Sequence, residues 1–260
     1  MTKENNFLVS VVINCFNGER FLKKAIDSVY SQTYKNWEII FLDNCSTDGS
    51  VKILDGYDEK IRYFKTDKKI PLYAARNVAI KKSKGAAIAF LDCDDEWTPR
   101  KLEAQMSLFV QGSKIVYGRF VLVDESGQKI EKDIANPSSG FITNKILMRN
   151  PISICSILIS KEILDRYLFN SEYNLIGDFD LWFRLSLIHQ FDYVDEVVEF
   201  SRQHDSNLSD IKAAEWIKEQ RRFWLSNLKI IKPAYTISYF LYILKVELRS
   251  IQRKIKSYLL

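Results

Sequence analysis

The sequence predicts an α/β protein built on a Rossmann-like, mixed but mostly parallel sheet flanked by helices, with a basic helical extension at the C-terminal end. Three observations predict it. Apolar strands and amphipathic helices alternate from Phe7 to Phe109. Four acids crowd into the five residues after the apolar run Ala86–Leu91, at Asp92, Asp94, Asp95 and Glu96. Basic residues gather in the tail, where positions 211–260 hold eleven Lys or Arg against three Glu. That segment carries a net +8, so the other 210 residues sum to −3 within a total of +5.

The elements follow in order. Val9–Cys15 reads as a strand, and Phe21, Leu22, Ala25, Ile26, Val29 and Tyr30 recur at helical spacing before a second strand at Trp37–Leu42. A short helix is expected over Ser46–Gly56, a strand at Ile61–Phe64, a helix over Leu72–Lys82 and a strand at Ala86–Leu91. Thr98 as N-cap and Pro99 at N1 predict a helix through Phe109. Beyond Ile115 the alternation stops. Antiparallel strands are expected at Ile115–Val123 and Lys129–Ile130, then a strand at Ile152–Ile159, a helix over Phe179–Ile188 and a last strand at Val197–Arg202. Two helices, Ala213–Ile231 and Ala234–Leu259, are separated at Pro233. In such a sheet the ligand crevice lies at the carboxyl ends of the strands, where the acidic run stands.

Composition excludes several classes. A chain of 260 residues that is 47% apolar and 27% charged, with 13 Tyr, 16 Phe and 5 Trp, folds around a core. Cys15, Cys45, Cys93 and Cys155 form no C-x-x-C pair, and with only His189 and His204 besides, a tetrahedral zinc site is disfavoured. The cysteine usage and the polar Met1–Asn6 opening favour a reducing, cytoplasmic location. No G-x-G-x-x-G follows the first strand and no G-x-x-x-x-G-K-[ST] occurs, which disfavours dinucleotide dehydrogenases and P-loop enzymes.

Asp92 and Asp94 stand two apart, so an extended backbone points both carboxylates to one side. Like charges so close favour protonation unless a cation joins them. Mn²⁺ or Mg²⁺ on oxygen ligands and substrate phosphates is the usual solution; the bland alternative is a solvated acidic turn.

Four segments in order, Val11–Asn17, Asp43–Ser50, Ala75–Asn77 and Phe90–Trp97, resemble the GT-A glycosyltransferases of family 2, and the resemblance spans residues 7–208. It implies a UDP-sugar donor, a divalent cation and inversion at the anomeric carbon. It implies donor-binding roles for Asn14, Phe16, Asn17, Glu19, Asp43, Arg76 and Asp92, with Asp43 accepting from the uracil imide, Phe16 beside the base and Arg76 reaching base or diphosphate. Asp94 becomes the metal ligand, and Cys93 a small residue on the opposite face. A turn cap at Asp43, a core ring at Phe16 and a helix-surface Arg76 remain the alternatives.

Gly177–Arg184 is similar to the family's E-D-x-D-L-W segment, with Gly177 where an acid is common. By position Asp178 is the general base, its alternative being an N-cap, while Asp180 positions the loop or pairs with Arg184 one turn on. Ser201–Ser209 is similar to an R-x-H-x-x-N-x-S loop that closes over the diphosphate, which makes His204 a metal or phosphate ligand. The expected organisation is a GT-A domain over residues 1–210, donor half to about 110 and acceptor half 111–210, with 211–260 as a basic amphipathic extension.

The acceptor expected is a glycan or lipid-linked saccharide. The longest charge-free run of the tail, Pro233–Leu244, is too short to span a bilayer. The tail therefore either meets an anionic membrane surface, placing the protein peripherally on the inner face of the cell membrane, or caps the sheet. A nucleic-acid partner is not expected, since carboxylates at the crevice repel phosphate without a metal. A catalytically inactive nucleotide-sugar-binding module is the other function class; it need not keep both Asp94 and Asp178.

Overall fold

Strands β1 (Val9–Cys15) and β2 (Trp37–Asp43) are buried along their whole length, as parallel strands covered on both faces must be. Between them α1 (Glu19–Tyr30) turns Leu22, Ala25, Ile26 and Val29 inward at the i, i+3, i+4, i+7 spacing of an amphipathic helix. The computed structural model describes residues 6–131, 136–205, 212–229 and 233–258. Its remaining elements before the acidic loop are α2 (Ser50–Ile53), β3 (Ile61–Lys65), α3 (Leu72–Lys82) and β4 (Ala87–Asp92). After the loop come β5 (Glu96–Trp97), α4 (Lys101–Val110), β6 (Ile115–Val123), α5 (Thr143–Arg149), β7 (Ile157–Ser160), α6 (Lys161–Arg166), α7 (Gly177–Ser186) and β8 (Asp192–Arg202). The tail supplies α8 (Ala213–Asn227) and α9 (Thr236–Tyr258).

One sheet joins the strands in the order β3-β2-β1-β4-β7-β6-β8-β5. The first four are parallel, so the carboxyl ends of β1, β2 and β4 open on one side with Cys15, Asp43 and Asp92 at the rim. Strand β7 runs antiparallel to both β4 and β6, β6 is parallel to β8, and β5 pairs antiparallel with β8. A mixed, mostly parallel sheet flanked by helices is therefore what forms.

Several boundaries differ from expectation, each for a local reason. The helix expected from Thr98 begins at Lys101, because Glu96–Trp97 pairs with β8 and the Thr98 hydroxyl donates to the Val197 carbonyl at 2.8 Å. The 46–56 helix shrinks to α2 and a 3₁₀ turn over Leu54–Gly56, since Ser46 and Asp48 accept backbone hydrogen bonds from the β1–α1 loop. Within 152–159 only Ile157 onward is strand; the Ser153 hydroxyl accepts from the Cys155 amide and starts a 3₁₀ turn over Ile154–Ser156. The expected partner strand at Lys129–Ile130 is reduced to a single antiparallel bridge from Lys129 to Val123, and β6 instead pairs antiparallel with β7 and parallel with β8. Helix α5 was not anticipated.

The tail helices pack on α5 and α7. Phe223, Tyr239, Tyr242 and Val246 are buried in the same apolar core as the sheet, and Phe223 meets Phe179 and Phe183 edge to face. Glu219 fastens them, its carboxylate accepting from the amides of Asn174, Leu175 and Ile176 at 2.7, 2.9 and 3.2 Å. The expected ends of the two helices at Ile231 and Leu259 lie outside the described residues. Among those described, no helix is long and apolar enough to cross a membrane.

Candidate active site

At the carboxyl rim the β1–α1 and β2–α2 loops clasp each other. Asn17 takes a left-handed φ of 55°, tolerable for asparagine. Its side-chain oxygen accepts from the Thr47 amide at 2.8 Å, and its own amide donates to the Ser46 hydroxyl at 3.0 Å. Glu19 accepts from the Gly49 amide at 2.7 Å and donates its own amide to Asp48 at 3.0 Å. Both residues expected to bind donor thus serve the loop clasp, and neither lines a described cavity of the site. Gly49 is the residue that permits it, since a Cβ there would lie 2.3 Å from the Glu19 carboxylate.

Asp43 is fully buried. One carboxylate oxygen accepts from the Ser46 amide at 2.7 Å and the other from the Tyr63 hydroxyl at 3.3 Å, the turn-cap arrangement weighed from sequence. Its neighbour Asn44 reaches the cleft, tied to the Ile70 amide and carbonyl at 3.0 and 2.8 Å.

Two adjoining cavities share Leu72, Arg76, Asp92, Asp94 and Asn174. The larger, of ≈ 510 Å³, is walled by Asn14, Phe16, Asn44, Lys69 and Lys212. Phe16 is 41% exposed there, with the Lys69 ammonium 3.2 Å from its ring centroid. The Asn14 side-chain oxygen is buried and has no hydrogen-bond partner. The smaller, of ≈ 300 Å³, adds Tyr73, Asp95, Ser153, Asp178 and Gln203. Arg76 stands at the junction, fully buried, donating to Asp92 at 2.5 Å; burial opposes its charge, and Asp92 and Asp178 favour it.

Asp94 bonds His204 Nε2 at 3.0 Å, so the strand end and the loop after β8 meet as expected. Burial and then the Asp92 charge raise the Asp94 carboxyl, while His204 opposes the shift. Asp178 occupies the first turn of α7 rather than its N-cap, which is Ile176. It accepts from the Tyr73 hydroxyl at 2.9 Å and the Phe179 amide at 2.8 Å; burial raises its carboxyl, and Arg76 pulls it back. Asp180 turns away to Arg184 Nε at 2.9 Å. Cys93 differs from expectation, lining the donor-side cavity with its sulfur beside Gly18 and Cys15.

Sequence reasoning missed the supports beneath these groups. Arg202 donates to the carbonyls of Asp94, Asp124 and Glu125 at 3.1, 3.0 and 3.0 Å and to the Glu96 carboxylate, pinning the acidic loop. Its place in R-x-H was the only signal, and that motif pointed to phosphate. Ser206, Asn207 and Ser209 of the same motif lie outside the described residues. Lys69, Asn174 and Lys212 carried no sequence signal.

For a cation, the ligand atoms of Asp92, Asp95 and Cys155 fall within 4.8 Å of one another. Two of the three do not suit a hard ion: burial holds the Cys155 thiol protonated, and Asp95 is taken up by the Arg202 amide at 2.8 Å and the Cys155 thiol at 3.2 Å. Asp92 and Asp94, with side chains 32% and 31% exposed, line the cleft with carboxylates of the kind Mn²⁺ or Mg²⁺ takes, Asp92 held by Arg76 and Asp94 by His204, but the ligand atoms of Asp92, Asp94 and His204 do not all lie within 4.8 Å of one another.

Residues 10–168 match the sequence profile of Glycosyl transferase family 2. The chain belongs to that family. Among its family 2 relatives, an uncharacterised glycosyltransferase of Rickettsia typhi is 30% identical over 87% of this chain and 74% of its own length. The UDP-Glc:alpha-D-GlcNAc-diphosphoundecaprenol beta-1,3-glucosyltransferase WfgD of Escherichia coli is 31% identical over 80% of this chain and 74% of its own. This chain spans only 38% of the length of a similar Rickettsia felis glycosyltransferase. In fold it matches Staphylococcus aureus TarS residues 1–349, with TM-score 0.70 and 16% identity over 92% of this chain and 71% of that one. That likeness bears out the GT-A fold.

Proposed function

We propose that the protein transfers a sugar from a UDP-sugar to a hydroxyl of a glycan or lipid-linked saccharide, in a single inverting displacement with Asp178 as general base. The observation that carries this reading is one cavity lined by Asp178, Arg76, Asp92 and Asp94. A proton acceptor, a fixed cation and a pair of metal-competent carboxylates there face the same small volume. TarS has been solved with UDP-GlcNAc and WfgD is named for a UDP-glucose donor and a diphosphoundecaprenol-linked acceptor, which favours the donor and acceptor classes given.

Residue roles follow from chemistry. The base and ribose occupy the larger cavity, beside the partly exposed Phe16 ring, and the orphaned Asn14 oxygen accepts from a sugar hydroxyl. Asp43 reaches the uracil imide by exchanging its Tyr63 bond. Lys69, Arg76 and Lys212 place three cations around the diphosphate, Arg76 keeping its charge at any working pH. Asp94, His204 and Asp92 are the residues that would hold a divalent cation, which would neutralise charge on the leaving diphosphate. Asp178 takes the acceptor proton as the oxygen attacks the face opposite the leaving group. Its Tyr73 bond holds one carboxylate oxygen still and leaves the other for the acceptor.

The outer face of α9 presents Ile237, Phe240, Leu244 and Leu248, and the tail is basic, which supports peripheral attachment to anionic lipid on the inner face of the membrane. The deciding experiment is UDP binding with Mn²⁺ or Mg²⁺ and with chelator, followed by a screen of UDP-sugars for hydrolysis. Equal UDP affinity in both buffers sinks the metal assignment; binding without turnover of any donor favours the inactive binding module.

A further inference from the structure

A third cavity, of ≈ 340 Å³, shares Leu175 and Asp178 with the catalytic cleft but is otherwise walled by α5, the start of α7, α8 and α9. Its sides are apolar, formed by Ile146, Leu147, Phe179 and Val246. Two cations, Arg149 and Lys245, also line it, and Asp178 is the one acid among its described lining residues. Lys245 donates to the Met148 carbonyl at 3.1 Å, which fixes its ammonium at the α5 side. Met148 lines the cavity and is 45% exposed, so the space opens outward there.

Helix α9 has two apolar faces. Tyr239, Tyr242 and Val246 are buried, while Ile237, Phe240, Leu241, Leu244 and Leu248 are exposed. A helix that spends only one apolar face on its own core leaves the other for something apolar outside. The stripe lies on the opposite side of α9 from Tyr242 and Val246 and borders the cavity at Lys245, which shares a helix ridge with Leu241 and Leu248; from Asp178 outward the order is carboxylate, cation, exposed apolar surface.

We infer that this cavity binds the phosphate-bearing, lipid-proximal part of a lipid-linked saccharide acceptor, with Arg149 and Lys245 meeting the phosphate and the hydrocarbon leaving along α9. The inference rests on Asp178 being the base that meets the acceptor hydroxyl. A purely glycan acceptor has no use for cations flanked by apolar walls, whereas a lipid diphosphate matches both in sequence. At ≈ 340 Å³ the cavity is near the lower end of small-molecule sites, about 300–1,000 Å³, so it takes the linker while the rest of the chain lies outside.

The test uses the full chain and farnesyl diphosphate in chelator, so that the donor-side metal site cannot recruit the diphosphate. Binding is measured for wild type, Lys245→Glu and Met148→Asp, beside inorganic diphosphate and farnesol alone. Farnesyl diphosphate should bind wild type at least tenfold more tightly than either fragment, and each variant should lose about tenfold or more, which is the loss of one charge contact or of apolar cover. UDP affinity with Mn²⁺ should stay unchanged in both variants, showing an intact fold and donor site. Equal or absent farnesyl diphosphate binding across wild type and Lys245→Glu overturns the inference, as does inorganic diphosphate binding equally well. Failure of the donor reading looks different: wild type then shows no metal-dependent UDP binding, whatever farnesyl diphosphate does.

Discussion

The Tyr73 hydroxyl donates to Asp178 Oδ1 across 2.9 Å and so ties α3, beside the donor cavity, to the first turn of α7, 105 residues later in the chain. The two residues titrate against each other: the bond lowers the Asp178 carboxyl that burial raises, and the Asp178 charge adds to burial in raising the Tyr73 phenol.

Tyr73→Phe removes the bond and keeps the ring. The Asp178 carboxyl then rises further, so the acid limb of the pH–rate profile moves to higher pH and transfer falls more at low pH than at pH 8. Asp178→Asn lowers transfer by about 10²- to 10⁴-fold with UDP affinity unchanged, the signature of a base that acts on the acceptor. Full activity in Asp178→Asn would reassign the base.

A Cβ on Gly177 would stand 2.5–2.7 Å from three atoms of the Tyr73 ring. The ring therefore occupies the space into which any side chain at position 177 would project. Gly177→Ala must push Tyr73 and with it Asp178, at a cost of about 1–3 kcal/mol. A lowered melting temperature together with a fall in transfer checks this; an unchanged melting temperature means the ring yields freely.

Asp94→Ala should erase the difference in UDP affinity between Mn²⁺ and chelator. His204→Ala should shrink it, because His204 Nε2 stands beside Asp94. Calorimetric titration in the two buffers distinguishes them.

Glu199 is fully buried; burial lifts its carboxyl to about 8, and it accepts from the Ser153 hydroxyl at 2.6 Å. An unfolded glutamate releases its proton near about 4.3, so between about pH 5 and 7 the folded state holds the extra proton. Stability therefore falls as pH rises through that window, by at most about 1.4 kcal/mol per pH unit from this group. Lys101, lowered by burial to about 7, acts in the opposite sense only above that pH. Glu199→Gln should flatten the slope of denaturant-unfolding free energy against pH between 5 and 7; an identical slope refutes the assignment.

If α9 lies on lipid, flotation with vesicles should need anionic headgroups and weaken with salt as the Debye length contracts from about 10 Å at 0.1 M. Equal flotation on neutral vesicles contradicts it.

Strand and helix order from Val9 to Leu91 was legible because each element's burial pattern is periodic in the sequence itself, two-sided for β1 and β2 and one-sided for α1. The acidic loop and His204 were legible as types of residue with cation chemistry. Helix α5 was not, since seven residues are too few for periodicity to speak, and β7 was read as part of a longer strand.

What the sequence alone determined was the alternation that builds the sheet, the acids at its carboxyl rim and the basic bias of the tail. Only the tertiary structure decided their use. Asp43 takes the Ser46 amide of its own turn and the Tyr63 hydroxyl of β3, and Glu19 clasps the Gly49 amide thirty residues on. Tyr73 and Arg202 became supports of Asp178 and the acidic loop through partners roughly a hundred positions away. Periodicity reports which face of a segment is buried, but not which distant polar group it meets there, and that meeting sets the charge and orientation of each carboxylate in the cleft.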